Sequence, residues 1–531
     1  MLGLGLAPNG AAAETTSAIR PVRQCAELVK DFDIPGAATH VTVATVVPAS
    51  AGEPEHCDVR GYVDPAVQFQ LKLPTATFTG RYLQYGCGGF CGMISPTPFP
   101  ECGGPHGGDF AVAVTNDGHV GALPAVDGAW ANNQAARNDW FYRAPHVLSL
   151  AAKRIIETYY GSPPKHSYFS SCSNGGREAL LLAQRYPNDF DGIIAGAPAH
   201  YLGPLIGVYQ TWLARTNTAA SDAPIITSAK LPALHNAVVA ACDRLDGLVD
   251  GQIDDPRDCR FDPMNLQCPT GTDQPSCLTP AQVDAARMLY AGPADAHGHR
   301  LYPGGQTRGS ELAWDGWLVP PPEGGGSTAE LLAGIYLKYV GYPLGTPHSS
   351  VADFEFTVRE FNRLTPEGVK GNAMSLDLEK FRRSGSKLII WHGWDDQAIP
   401  ATGTLDYYQR LWQHSGGLRE TQEWARVFMI PTMAHCVGGY RLTEFDPLRE
   451  LVSWVERGAP PDRILATARD AQGAVLRSRP VFPYPLRATY DGTGSIDDAS
   501  NFVPARPLLP PHDTIRWVGT DLYTKPDGSS G

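Results

Sequence analysis

Two residues capable of acyl-transfer chemistry, far apart in the chain, each adjoin a cysteine: Cys172 directly precedes Ser173, and Cys436 directly follows His435. A disulfide holds its two Cα atoms about 5.5 Å apart, and each neighbour stands one peptide step of about 3.8 Å further on. If these cysteines are bonded, the hydroxyl and the imidazole come within hydrogen-bonding reach, as a serine nucleophile and its general base require.

The string Ser171-Cys172-Ser173-Asn174-Gly175-Gly176 lies between a strand pattern at 166–170 and a helix pattern at 177–186. A nucleophile elbow belongs in that place, because a sharp strand-to-helix turn tolerates only small neighbours around an exposed serine. The usual G-x-S-x-G order is departed from at Ser171, and a glycine-rich turn without chemistry reads the same way locally. Downstream, His392-Gly393-Trp394-Asp395-Asp396 offers two carboxylates for orienting a histidine, and the loop Pro431 to Gly439 carries His435. The chain order Ser, Asp, His is that of an α/β-hydrolase. An oxyanion hole needs backbone N–H groups aimed at the developing charge. Asn174 supplies one, and the early turn Gly86-Cys87-Gly88-Gly89-Phe90-Cys91-Gly92 is the place to seek the other, at Gly88 and Gly89.

The elements that must position these residues are legible in the hydrophobic periodicity. Residues 37–83 alternate as β segments, and apolar strands at 110–115, 166–170, 192–197, 387–391 and 426–430 alternate with amphipathic helices at 144–160, 177–186, 405–412 and 447–457. That rhythm predicts a parallel sheet with right-handed crossovers. It breaks from about 201 to 384, where Pro- and Gly-rich connections and isolated helices intervene. The expected fold class is therefore α/β: an α/β-hydrolase core formed by 1–200 and 385–531, with a large lid domain inserted at 201–384.

At 531 residues, 43% hydrophobic and 18% charged, the chain has the composition of a globular protein with a large core. A net charge of -12 and no basic run argue against nucleic acid and against an anionic membrane as partners. No apolar run reaches the length of a membrane-spanning helix. Eleven cysteines lacking the short CxxC pairs of zinc sites predict disulfides and an oxidising, secreted or periplasmic location. Ala11-Ala12-Ala13 in the first residues reads as the remnant of a signal peptide, although no basic start precedes it.

Cys242 to Asp255 crowds five aspartates into a glycine-punctuated turn. Like charges so close are costly unless solvated or neutralised by a hard cation such as calcium. The spacing is not that of an EF-hand.

Taken together, the residues resemble the tannase and feruloyl esterase family, which also includes a terephthalate-monoester hydrolase. The resemblance runs from about Cys25 to Phe502 and rests on Cys172-Ser173-x-Gly175-Gly176, His392-Gly393-x-x-Asp396 and His435-Cys436. Leu301-Tyr302-Pro303-Gly304 with Gly309-Ser310-Glu311 and Trp314, and Arg479-Pro480 to Pro483-Tyr484-Pro485, add to it. It implies Ser173 as nucleophile, His435 as base and Asp396 rather than Asp395 as acid, beside a bonded Cys172 and Cys436. It also implies a structural calcium held by the side chains of Asp243, Asp246 and Asp250 and the carbonyls of Leu248 and Gln252, with no organic cofactor. A late disulfide frequent in relatives is missing here, where Phe482 and Pro504 stand.

The further pairs expected are Cys25/Cys57, Cys242/Cys259, Cys268/Cys277 and Cys91/Cys102, which leaves Cys87 as a buried thiol. The family implies a small-molecule aromatic ester as substrate, with Trp317, Phe356, Phe361 and Trp394 as candidates to line the pocket. Relatives that take a terephthalate monoester grip its carboxylate with a lid arginine, and the corresponding stretch Pro320 to Tyr336 has no arginine or lysine. Feruloyl, coumaroyl and galloyl esters therefore rank above terephthalate monoesters, with Arg308 left as a substitute cation. A hydrolase fold used only for binding ranks lower, because all three triad residues are present.

Overall fold

A computed structural model describes residues 18–50, 52–95, 99–100, 108–121, 127–507 and 511–524. The Ala11–Ala13 run and Cys102 lie outside the described residues. Ten strands form one sheet: β1 (Asp31–Phe32), β2 (Thr39–Val47), β3 (His56–Val63), β4 (Val67–Pro74), β5 (Arg81–Tyr85), β6 (Phe110–Thr115), β7 (His166–Cys172), β8 (Gly192–Gly196), β9 (Lys387–Gly393) and β10 (Ala425–Ile430). Their order is β1-β2-β3-β4-β6-β5-β7-β8-β9-β10. The first four strands and β6 pair antiparallel. From β6 to β10 every pairing is parallel.

The parallel half is apolar on both faces because helices cover both. Along β9 the side chains alternate strictly. Leu388 and Ile390 join the core shared with the helices Ala144–Tyr160, Asn174–Arg185 and Ala401–His414. Ile389 and Trp391 join the opposite core, closed by Leu448, Leu451 and Trp454 of the helix Leu448–Arg457. Val427 and Met429 against Phe428 and Ile430 repeat the pattern on β10. A strand of period two sandwiched between helix layers demands this double apolar run.

Between β8 and β9 the described residues add helices and isolated bridges but no strand to the sheet. This insertion includes the helices Gln210–Thr216, Leu231–Cys242, Pro280–Ala291, Thr328–Ile335 and Val358–Gly371. Its buried side chains, among them Leu205, Tyr209, Trp314 and Tyr336, belong to the same continuous core as the sheet. The insertion is thereby packed down on the strand ends that carry Ser173, Asp396 and His435. No helix among the described residues is long and apolar enough to cross a membrane.

Candidate active site

Ser173 stands at the end of β7, where the strand turns into the helix Asn174–Arg185. Its backbone is held at φ 66° and ψ −123°, a left-handed conformation that costs a non-glycine residue about 1–3 kcal/mol. Three backbone bonds maintain it: Ser173 N–H donates to Gly196 O, and its carbonyl accepts from Arg177 and Ala199 N–H. Both following glycines are obligatory. A Cβ on Gly175 would lie 1.9 Å from Ser171 Oγ, and one on Gly176 would lie 2.2 Å from Gly196 O. Ser171, in the place of the expected first glycine, fits because its own side chain fills the space against Gly175.

His435 reaches the same point from the loop after β10. Its Nε2 is 2.9 Å from Ser173 Oγ, and its Nδ1 is 2.7 Å from Asp396 Oδ2. A carboxylate only accepts, so the proton sits on Nδ1 and Nε2 is left to receive the serine proton. The Cys172–Cys436 disulfide, with Cα atoms 5.9 Å apart, ties the two loops beside this contact.

Asp396 is buried and accepts four bonds. Oδ1 takes the N–H groups of Ala398 and Ile399, each at 2.8 Å, and Oδ2 takes His435 Nδ1 and His392 Nε2. Burial alone would raise this carboxyl, but the electrostatic attraction of the His435 imidazole and the hydrogen bonds from both histidines hold it well below the ordinary carboxylate range. Asp395 turns the other way. Burial, with Glu311 nearby, pushes its carboxyl well above the ordinary range, and among the described residues its Oδ2 has no hydrogen-bond partner. The acid bonded to His435 is thus Asp396 and not its neighbour.

His392 is a site residue to which the sequence alone assigns no role. Its Nδ1 lies 2.8 Å from Thr404 Oγ1, and its Nε2 also contacts Ile399 O at 3.0 Å, so it braces Asp396 from behind. Gln397 is another, accepting the His435 N–H at 3.1 Å. The string His392-Gly393-x-x-Asp396 is the available signal, but the contact depends on how the turn after β9 folds Asp396 back onto the strand end.

A cavity of about 340 Å³ opens onto this relay. Gly88, Gly89 and Asn174 line it together with Ser173 and His435, on the side where the first-turn N–H groups of a helix are unpaired. Phe90, Leu202, Leu205, Ile206, Trp317 and Leu332 make the rest of the wall mainly apolar, with Gln210 and Thr328 as polar points. His435 is the sole titratable side chain among the described lining residues. Trp317 is in place, its ring 5.6 Å from that of His435.

The other three aromatic candidates are corrected, since none lines this cavity. Phe356 packs edge-on against Trp212 and Phe354, Phe361 faces Trp517, and Trp394 lies under the Arg257 guanidinium. Each sits in a part of the core whose partners come from distant segments. Arg308 is also elsewhere, bonded to Phe261 O and stacked on Tyr290.

Four expected disulfides are present, Cys25–Cys57, Cys172–Cys436, Cys242–Cys259 and Cys268–Cys277. The Cys91/Cys102 pairing is replaced by Cys87–Cys91. The turn through Gly88 and Gly89, closed by Cys91 N–H on Gly88 O, folds the chain back so that the two Cα atoms are 5.3 Å apart. Cys87 is therefore bonded rather than a free thiol.

In the acidic loop, Asp243 Oδ1 accepts N–H groups from Asp250, Gly251 and Gln252, and Asp246 Oδ1 accepts that of Leu248. Asp250 Oδ2 is bonded to Arg477 at 2.9 Å and Arg479 at 2.6 Å, two partners the sequence did not suggest. Asp250 Oδ1 is buried without a hydrogen-bond partner among the described residues. Burial, then the charges of Asp254, Asp250 and Asp243, push Asp246 above the ordinary range. An orphaned buried oxygen amid mutually repelling carboxyls fits the donor set of a hard cation.

Comparison with known proteins follows the same line. The family described as tannase and feruloyl esterase matches residues 52–505. Mono(2-hydroxyethyl) terephthalate hydrolase of Piscinibacter sakaiensis is 33% identical, over 90% of this chain and 90% of its own. A probable feruloyl esterase of Arthroderma benhamiae is 30% identical over 82% of each. The crystal structure of feruloyl esterase B from Aspergillus oryzae superposes with a TM-score of 0.74 at 27% identity, covering 89% of this chain and 98% of that one. With its elbow serine, braced acid and inserted helices arranged on an α/β-hydrolase sheet, the chain belongs to the tannase and feruloyl esterase family of carboxylic ester hydrolases.

Proposed function

We propose that this protein is a secreted serine esterase that cleaves neutral aromatic acyl esters through an acyl-enzyme on Ser173. The observation that carries this reading is the Ser173–His435–Asp396 relay opening onto a cavity whose described lining residues are mainly apolar, with His435 as their one titratable side chain. In it, His435 Nε2 takes the proton of Ser173 Oγ as the hydroxyl attacks the ester carbonyl. The N–H of Asn174 and the Gly88–Gly89 backbone hold the oxyanion. His435 returns the proton to the departing alcohol, then activates the water that releases the acid. Asp396 stays ionised throughout and keeps the imidazole in its Nδ1–H form.

The described lining residues support this substrate class. Among them a free carboxylate placed beside Leu202, Leu205, Ile206 and Leu332 finds no counter-ion, whereas a flat neutral ring meets Trp317 and Phe90. Methyl ferulate or methyl gallate is therefore expected to exceed mono(2-hydroxyethyl) terephthalate in kcat/KM. A terephthalate ester favoured by about tenfold or more, about 1.4 kcal/mol, would reverse this assignment. A fluorophosphonate probe should label Ser173, and an unlabelled chain would instead fit a binding role.

The Cys172–Cys436 bond acts in this reading by placing Ser173 against His435. Replacing both cysteines with serine is expected to lower kcat by about 10- to 100-fold while KM moves less than about threefold, because misplacement by about an ångström is costly to the reacting geometry. An unchanged kcat would make the bond a simple staple. The five disulfides support secretion, since such bonds persist in oxidising compartments.

The acidic loop is assigned to calcium, held by the carboxylates of Asp243, Asp246 and Asp250 and the carbonyls of Leu248 and Gln252. When bound, the ion supplies charge neutralisation and no chemistry. Saturating calcium, about 100-fold over Kd, should stabilise the fold by about 2.7 kcal/mol. Differential scanning calorimetry with calcium and with chelator checks this, and an identical Tm in both would remove the assignment.

A further inference from the structure

Directly beneath the Gly88–Gly89 turn lies a set of buried acids that the esterase mechanism does not use. Glu178 and Asp117 are 1% and 0% exposed. One oxygen of each, and the sulfurs of Cys87 and Cys91, all lie within 4.8 Å of one another. Glu178 Oε1 accepts from Asn174 Nδ2 at 2.7 Å and lies 3.3 Å from Cys87 Sγ; Asp117 Oδ2 lies 3.5 Å from Cys91 Sγ. Bonded sulfurs carry no proton to donate, so these last contacts satisfy neither acid. Among the described residues, Glu178 Oε2 and Asp117 Oδ1 have no well-formed hydrogen bond. A Cβ on Gly86 would come within 2.3 Å of Glu178 Oε2, so the turn rests directly on the carboxyl.

The charges facing this pair are few. Arg177 is buried beside it, but its guanidinium donates to Asn174 Oδ1 and to the carbonyls of Trp140, Phe141 and Gly371. Asp139 adds negative charge and is paired through Oδ1 with Arg143. His119 faces the carbonyls of Phe90 and Asp117. Two carboxylates at such range repel one another when both are ionised, whereas one shared proton leaves a single negative charge to balance Arg177.

We propose that Asp117 and Glu178 share a proton, and that this acid pair is a positioning element that holds Asn174 and the disulfide-closed Gly88–Gly89 turn in register as the oxyanion hole. The inference rests on the esterase reading above. Asn174 connects the two: its side chain is fixed between Glu178 and Arg177, and its backbone N–H opens the helix behind Ser173. Burial, and for Asp117 also the charge of Glu178, pushes both carboxyls up. A folded-state acid raised in this way favours the arrangement at low pH and loses it as pH rises through the folded-state value. Loss of the shared proton would place two negative charges under the site where a third must develop in the transition state.

The test is the dependence of kcat and KM on pH from about 5 to 10 for the wild type, Glu178→Gln, Asp117→Asn and Glu178→Ala. Glutamine keeps the acceptor for Asn174 and supplies permanent N–H donors toward Asp117, imitating the shared proton at every pH. The expected result is an alkaline fall in wild-type kcat with little change in KM. Glu178→Gln and Asp117→Asn should each move that fall upward by at least about one pH unit, and Glu178→Ala should lose about 30-fold or more in kcat at neutral pH. A wild type with no alkaline fall, variants whose profiles superimpose on it, or Glu178→Ala within about threefold of wild type would each overturn the inference. If Glu178→Ala does not fold, the two amide variants decide. Failure of the wild type to hydrolyse any ester would instead overturn the esterase reading itself.

Discussion

Ser173→Ala is expected to lower kcat by about 10⁵- to 10⁶-fold on the best aromatic ester, with KM nearly unchanged and the fold intact. The size follows from the chemistry: no other hydroxyl lies at the 2.9 Å position against His435 Nε2, and without the nucleophile the relay has nothing to deprotonate. What survives is water attack assisted by the oxyanion hole, worth roughly 10³- to 10⁴-fold over the uncatalysed reaction. The substitution removes one hydrogen bond of about 1 kcal/mol and leaves the backbone bonds to Gly196, Arg177 and Ala199 in place. Steady-state kinetics and intact-mass detection of the acyl-enzyme check it together. Retained turnover, or an acyl adduct on another residue, would show that the nucleophile lies elsewhere.

Asp396→Asn should be the next most damaging change, at about 10⁴-fold in kcat, while Asp395→Asn stays within about threefold of wild type. Asp396 receives four donors, two on each oxygen. An amide nitrogen on either side would face a donor, so asparagine must expel a bond to Ala398 and Ile399 or to His392 and His435. In the latter case His435 loses the partner that keeps its proton on Nδ1. Asp395 bonds neither His435 nor His392, and burial raises its carboxyl, so an amide of the same shape changes little. Equal losses from the two variants would mean that the relay is not what distinguishes them. The same contacts set an acid limit. The Asp396 carboxyl is depressed in the folded state, so its contribution to stability is complete above the ordinary carboxylate value near about 4 and is lost as pH falls. A weaker acid sensitivity of Asp396→Asn in thermal unfolding at low pH is the expected companion result.

Much of the sheet was readable because each strand carries its own evidence. Leu388 to Trp391 is apolar at every position, which requires cover on both faces, and the glycines after Ser173 mark the sharp turn irrespective of what surrounds them. The antiparallel wing was visible in the alternation of β2 to β4, but its attachment to β6 rather than to β5 was not, since strand order depends on pairings across distant segments. The pocket aromatics fared unevenly for the same reason. Trp317, Phe356, Phe361 and Trp394 are chemically alike, and what separates them is whether the neighbour is the His435 ring or Trp212, Trp517 and Arg257. The cysteines of the early turn were mispaired because bond choice depends on how tightly Gly88 and Gly89 fold the chain, and spacing does not state that.

The amino-acid order by itself determined the alternating α/β rhythm, the place of the serine elbow and the association of the chain with its family, because these reside in local period, turn chemistry and short strings. The tertiary structure decided that His392 braces the acid Asp396 already favoured by the family strings, that Arg477 and Arg479 meet the acidic loop, and that Glu178 and Asp117 lie under the Gly88–Gly89 turn. Such facts depend on distances between residues tens or hundreds of positions apart. Burial and charge at those distances set the chemistry of each group, and no local pattern encodes them.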